Sequence, residues 1–138
     1  MKEIILIISL LAIVSTGFAQ EQIIGKWATS DGEGTVEIYQ EQGKFFGKII
    51  LLKSPNDTNG KPLMDTENPD KSKRNTPLVG LTMLKDFKYK NNKWEDGTIY
   101  DPEDGKTYKC SMWIEKGKLK VRGHWGLFHQ TQTWIRKN

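Results

Sequence analysis

Two kinds of hydrophobic pattern follow one another along the chain. Ile4 to Val14 is an apolar run broken only by Ser9. From Gly25 onward, apolar residues are spaced mostly at period two between short turn signals. Val36 and Ile38 share a face against Glu37 and Tyr39, and Leu119 and Val121 alternate with Lys118, Lys120 and Arg122. Period two means strands with one dry face and one wet face. The turn signals are Asp31-Gly32-Glu33-Gly34, Gln42-Gly43, Asn91-Asn92, Asp96-Gly97, Asp104-Gly105 and Lys116-Gly117. Such pairs suit tight hairpins because their residues tolerate positive φ. Strands are predicted near 25–29, 34–41, 44–53, 82–90, 97–101, 106–115, 118–123 and 130–136.

One run breaks the alternation. Phe45-Phe46-Gly47-Lys48-Ile49-Ile50-Leu51-Leu52 is apolar on both faces, which predicts a cover for its outer side, and Gly47 inside it predicts a bulge or a close approach. Ser54 to Pro77 holds four prolines and many charges, with Leu63 and Met64 its only sizeable apolar residues. It reads as a solvated irregular loop, with a lid as the alternative. About eight short strands in hairpin order predict an all-β fold: a single small antiparallel barrel. Closure removes sheet edges, and a barrel of that size either fills its interior or holds one small ligand.

The leading run changes the compartment. Lys2 precedes it, and Ser15-Thr16-Gly17-Phe18-Ala19 supplies small residues at the third-last and last positions before a cut. That is the layout of a secretory signal peptide over residues 1–19, leaving one domain over 20–138. The apolar run is shorter than the about 20 residues a membrane span needs. Gln20 stands where a lipoprotein would carry Cys, so the expected product is released into the periplasm or secreted.

Composition agrees. Ala28 is the only alanine after the leader, while aromatic and β-branched residues are plentiful, which favours strands over helices. The net charge of +4 is scattered; with export, it points to a solvated surface rather than nucleic acid. Cys110 is the only cysteine, so no intramolecular disulfide forms. It alternates with Tyr108, Met112 and Ile114 on an apolar face, as a buried inert thiol would.

Two features resemble lipocalin-like barrels: Gly25-Lys26-Trp27 at the first strand and Trp134-Ile135-Arg136 at the last. The resemblance implies that Trp27 and Arg136 are structural neighbours, guanidinium over ring. A longer set of motifs is similar to the exported bacterial family known as a domain of unknown function, DUF 2147. It comprises Gly25-Lys26-Trp27, Asn68-Pro69-Asp70 with Arg74, Pro77-Leu78-Val79-Gly80-Leu81, the stretch from Gly97 to Tyr108, Arg122-Gly123, and Thr131 to Arg136. Tyr100-Asp101-Pro102-Glu103-Asp104-Gly105-Lys106-Thr107-Tyr108 is the most distinctive. His124-Trp125 departs from the pattern, where a plainer pair is expected. The resemblance implies a domain boundary and an envelope location, and no reaction.

No stretch reads as catalytic or metal-binding. Asp101, Glu103 and Asp104 are dense enough to suggest calcium, but the glycine comes too early and no distal Glu follows. A hairpin, with Asp101 accepting backbone N–H bonds, fits the turn chemistry better. His124 and His129 are too few for zinc, and no cofactor motif occurs.

Aromatics give the strongest binding signal. Trp113, Trp125, Phe128 and Trp134 crowd the C-terminal half, with Tyr100 and Tyr108 near them. Core packing would use most of them. Those lining an open barrel would form an apolar pocket, with Arg74, Arg122 and Gln132 orienting a ligand's carboxylate or carbonyl. The leading expectation is non-enzymatic binding of a small, partly apolar ligand in the cell envelope. The alternatives are a module that docks another envelope protein through the Phe45–Leu52 strand, and a hydrolase of envelope polymers working through Asp101 or Glu103.

Overall fold

The structure, a computed structural model, describes residues 18–138. The expected leader therefore lies outside the described residues, except for Phe18 and Ala19. Eight strands follow in sequence: β1 (Gly25–Ala28), β2 (Gly34–Glu41), β3 (Lys44–Leu52), β4 (Thr82–Lys90), β5 (Lys93–Asp101), β6 (Lys106–Glu115), β7 (Lys118–Trp125) and β8 (Phe128–Lys137). Each pairs antiparallel with the next, and β8 closes onto β1 through Trp27↔Arg136, giving a closed barrel. Among the described residues no sheet edge is left unpaired, which suits a chain with one buried, unpaired cysteine.

The two ends of the barrel are built differently. At one end, three connections are two residues long, Gln42-Gly43, Asn91-Asn92 and Lys116-Gly117, and in each both residues take positive φ. Their twist matches that of the flanking strands. The N-terminal segment and the end of β8 lie at this end too. The other end carries the long connections, residues 29–33, 53–81 and 102–105, with the short Gly126-Leu127 turn.

Inward side chains fill the first half completely. Trp27, Phe45, Phe87, Leu119, Met112 and Trp94 are all 2% exposed or less. The Trp94 ring meets Phe45 edge-on at 6.3 Å between centroids. A residue of N-terminal chain seals the bottom: Ile23 is fully buried, and its carbonyl accepts from Trp27 Nε1 at 2.9 Å. The Gln20 carbonyl accepts from Trp94 Nε1 at 3.3 Å. Arg136 lies across this plug, its guanidinium 4.1 Å from the Trp27 ring centroid, donating to the Ile24 carbonyl at 2.8 Å and to the Gln22 carbonyl. Burial pushes the Arg136 guanidinium below its usual value.

The structure corrects or sharpens three local expectations. Asp96-Gly97 is not a hairpin turn: β5 begins four residues earlier than expected, at Lys93, and the pair forms a bulge, with Asp96 at φ 62°. Residue 97 must be glycine there, because a Cβ on it would sit 2.4 Å from the fully buried Phe87 ring. Secondly, the register shifts opposite Thr35 and Val36, so that Val36 pairs with Ile49 and Thr35 with Leu51. Ile50 is the extra residue. This puts Leu52 on the inward side with Ile49, while Phe46 is stacked on Tyr39 at 5.8 Å on the outside. β3 therefore presents no continuous outer apolar face of the kind a docking strand would need; Leu51 is its one exposed large apolar residue. Gly47 sits at a register shift and against Leu84, as a bulge with a close approach.

Thirdly, the stretch expected as a solvated loop is irregular and largely exposed, as expected, but it folds back on the barrel as an arm. Isolated bridges join Asn56 to Pro62 and Met64 to Pro77, and a 3-10 turn at Lys71–Lys73 is capped by Asp70, which accepts from Ser72 N at 3.0 Å. The arm is anchored by Asp65, which is fully buried.

Candidate functional site

The second half of the barrel is hollow. Above Val121 and Trp134 a cavity of about 950 Å³ opens between the long connections. Ile49, Met83, Ile99, Val121 and Trp134 form its apolar wall: the parity that buries Trp27 and Met112 below turns Ile49, Ile99, Val121 and Trp134 inward above, and Met83 joins them at the register shift between Thr82 and Leu84. Gly123 lies in the wall without a side chain, and the nearest atom to a Cβ there would be 3.9 Å away, on Ile99. Two polar side chains interrupt the wall, Gln130 and Gln132 from β8. Trp134 Nε1 donates to Gln132 Oε1 at 2.9 Å, which leaves the Gln132 amide N–H groups for the cavity.

The arm covers one side. Leu63 and Leu78 reach the cavity from it. Its position is fixed by a buried carboxyl: Tyr100 Oη donates to Asp65 Oδ1 at 2.7 Å and Asn68 Nδ2 donates to Oδ2 at 2.7 Å. Burial, and then the hydrogen bond to Asp65, push the Tyr100 hydroxyl up to about 12. A second anchor is steric. A Cβ on Gly105 would lie 2.0 Å from the Glu67 carbonyl oxygen, so the β5–β6 turn and the arm touch backbone to backbone.

The mouth is charged. Asp31 and Glu33 come from the β1–β2 connection, and Asp101, Glu103 and Asp104 from the β5–β6 turn. Asp101 Oδ1 accepts from Glu103 N at 2.9 Å and Asp104 Oδ1 from Lys106 N at 2.8 Å, which is the turn chemistry of this stretch. Tyr108 Oη donates to Asp104 Oδ2 at 2.5 Å, and that bond raises the Tyr108 hydroxyl above its usual value. The Trp125 ring stands edge-on to Tyr108, centroids 6.1 Å apart, and is 45% exposed at the rim.

The residues singled out from sequence divide into two groups. Tyr100, Asp101, Gln132 and Trp134 meet at the cavity. Trp113, Arg122 and Arg74 do not line it, which corrects their grouping with the others. Val121 and Gly123 face inward, so Arg122 between them faces outward. There its guanidinium lies 4.7 Å from the Trp113 ring centroid and its Nε donates to Thr131 Oγ1 at 2.7 Å. Arg74 works within the arm, donating from Nε to the Asn68 carbonyl at 2.7 Å. Cys110 is buried, across the ladder from Gly123, and burial pushes its thiol up to about 12, the direction that disfavours the thiolate. Sequence reasoning missed Asp65: a lone acid among the charges of the arm carries no sign that it is buried.

No group of three or more His, Cys, Asp or Glu side chains arranged to hold a metal occurs among the described residues. No helix among them is long and apolar enough to cross a membrane.

A solved protein of the human pathogen Helicobacter pylori, described as belonging to the lipocalin family, superposes with a TM-score of 0.71. It is 25% identical, and the match covers 84% of this chain and 83% of that one. The barrel is thus lipocalin-like in architecture, a fold compatible with holding a small ligand. No curated protein matches the chain. The sequence from residue 25 to residue 136, β1 through all but the last residue of β8, matches the family model DUF2147, described as an uncharacterized protein conserved in bacteria; the chain belongs to that family.

Proposed function

We propose that the protein is a non-enzymatic carrier or receptor for a small, partly apolar ligand, acting in the cell envelope after export. The hollow upper half of the barrel is the observation that carries this reading. Its volume of about 950 Å³ is of the size of small-molecule sites, and its apolar walls with a few convergent amides are their usual composition. A barrel needing only stability would fill this space, as the lower half does. The lipocalin family membership of the Helicobacter pylori neighbour supports the same reading.

Titration with an environment-sensitive apolar dye tests it. Saturable fluorescence enhancement at one equivalent is expected. Gly123→Phe places a ring in the cavity without a positive φ to accommodate, and should abolish the signal while the protein stays folded by circular dichroism. A wild-type protein that binds no dye, or a variant that binds it equally well, would sink the proposal.

Export rests on the leader. A cut after Ala19 is compatible with the fold: it leaves the carbonyls of Gln20, Gln22 and Ile24 in the plug and removes one backbone bond, from Gln22 N–H to the Ala19 carbonyl. N-terminal sequencing of the secreted form should begin at Gln20.

A further inference from the structure

The cavity is apolar within and acidic at its entrance, and the two together define a ligand class. Five carboxylates stand at the mouth, Asp31, Glu33, Asp101, Glu103 and Asp104, against one basic side chain of the lining, Lys106, in a chain whose overall charge is +4. No ion pair joins any of the five to a cation among the described residues. Their sign therefore runs against the balance of the whole molecule, and Lys106, across the ladder from Asp101, offsets only one of the five charges. Low-dielectric walls behind such a ring focus its field at the entrance.

The guanidinium groups that would grip an anion with two hydrogen bonds are elsewhere. The chain has three arginines, and none lines the cavity. Arg74 is bonded within the arm, Arg122 lies on Trp113 outside the barrel, and Arg136 seals the far end. What stands beside the carboxylates is aromatic: Tyr108 and Trp125, whose ring faces attract cations. The negative field is also felt by the neighbouring phenols. Asp101 and Asp104 add to burial and Asp65 in raising Tyr100, and Asp101 adds to Asp104 in raising Tyr108.

We infer that the cavity takes an amphipathic cation, with an apolar body seated among Ile99, Val121 and Trp134 and a cationic nitrogen held at the mouth between the carboxylates and the Tyr108–Trp125 pair. This inference rests on the cavity being a binding site. An anionic head of the same length would meet like charge at the entrance, and a neutral one would gain only the apolar contacts.

Three probes with one ten-carbon tail separate the possibilities: decyltrimethylammonium, decanol and decanoate, each titrated calorimetrically into the purified protein well below micelle formation. The cation is expected to bind about tenfold more tightly than the alcohol at low salt, and decanoate more weakly than either. The preference should shrink as ionic strength rises to about 0.5 M, where the screening length falls below the span of the mouth. The double variant Glu33→Gln, Glu103→Gln should narrow the cation-to-alcohol ratio by about fivefold or more at low salt. Gly123→Phe should remove binding of all three, which distinguishes the cavity from adsorption at the exposed Leu127 and Phe128. Equal affinity for cation and alcohol, preference for decanoate, or a ratio unmoved by the double variant would overturn the cationic class while leaving the cavity as a site. Failure of all three probes to bind would overturn the binding reading itself.

Discussion

At the scale of single residues, Asp65 and Tyr100 decide how the arm is held. Asp65 is a fully buried acid in an arm that is otherwise largely exposed, and the Tyr100 hydroxyl supplies one of its two side-chain partners. Tyr100→Phe removes that donor and keeps the ring. A buried acceptor left without its partner costs about 1–3 kcal/mol, and each kcal/mol lowers Tm by about 4 °C in a domain of this size. A thermal melt of the variant checks this. The same bond sets an alkaline limit. The folded-state value of Tyr100, about 12, lies above the ordinary 10, so its stabilising contribution is complete below pH 10 and is lost as pH rises to 12. Tm should fall across that window, and fall less steeply in Tyr100→Phe. Very little of this was legible beforehand. Tyr100 stood out within a distinctive motif, but Asp65 lies 35 residues away and its burial arises from tertiary contact alone. Arg122 is the opposite case: the alternation that turns Val121 inward already turns Arg122 outward, and only its nearness in sequence to the aromatics suggested a place in the pocket.

At the scale of elements, the strands were readable because period-two patterning and paired turn residues agree. Seven of the eight begin within two residues of the position the pattern predicts. β5 is the exception, since an Asp-Gly pair serves a hairpin and a bulge equally well, and here the hairpin is already made at Asn91-Asn92, leaving Asp96-Gly97 inside the strand. The arm is where local pattern says least. Four prolines and many charges describe a solvated loop, yet the arm docks on the β5–β6 turn through a contact that only glycine permits. Gly105 has φ 71°, and a methyl group there would overlap the Glu67 carbonyl. Gly105→Ala must therefore strain the turn or lift the arm. We expect limited proteolysis to cut the variant within residues 54–77 at a rate at least severalfold above wild type, with the barrel core resistant. Equal cleavage rates would show that the arm is held by Asp65 without help from this contact.

At the scale of the whole molecule, the barrel divides its work between a solid half and a hollow one, and the solid half is completed by chain that precedes β1. Ile23 is fully buried beneath Trp27, and three backbone carbonyls, at Gln20, Gln22 and Ile24, receive N–H donors from Trp94 and Arg136, while the Ile23 carbonyl receives Trp27. The Gly25-Lys26-Trp27 and Trp134-Ile135-Arg136 motifs made the Trp27–Arg136 contact legible; the plug itself was not, because Gln20 to Ile24 shows no periodicity to read. Its removal is a sharper test of the closed end than any point substitution. A chain beginning at Gly25 exposes the site of Ile23, a burial worth about 1.5–3 kcal/mol. It also leaves two indole N–H groups without acceptors, at about 1–3 kcal/mol for each that water does not reach, while the exposed Arg136 guanidinium exchanges its two carbonyl partners for water. Together these approach the about 5–15 kcal/mol that holds a domain folded. A chain beginning at Gln20 loses none of them. Side by side in urea, the Gln20 form should unfold cooperatively with the midpoint of the secreted protein, and the Gly25 form should show a midpoint shifted down by at least about 2 M, taking a urea dependence of about 2 kcal/mol per molar, or no folded baseline at all. Matching midpoints would mean that the strands close the barrel without the plug, and that a cut beyond Ala19 would be tolerated.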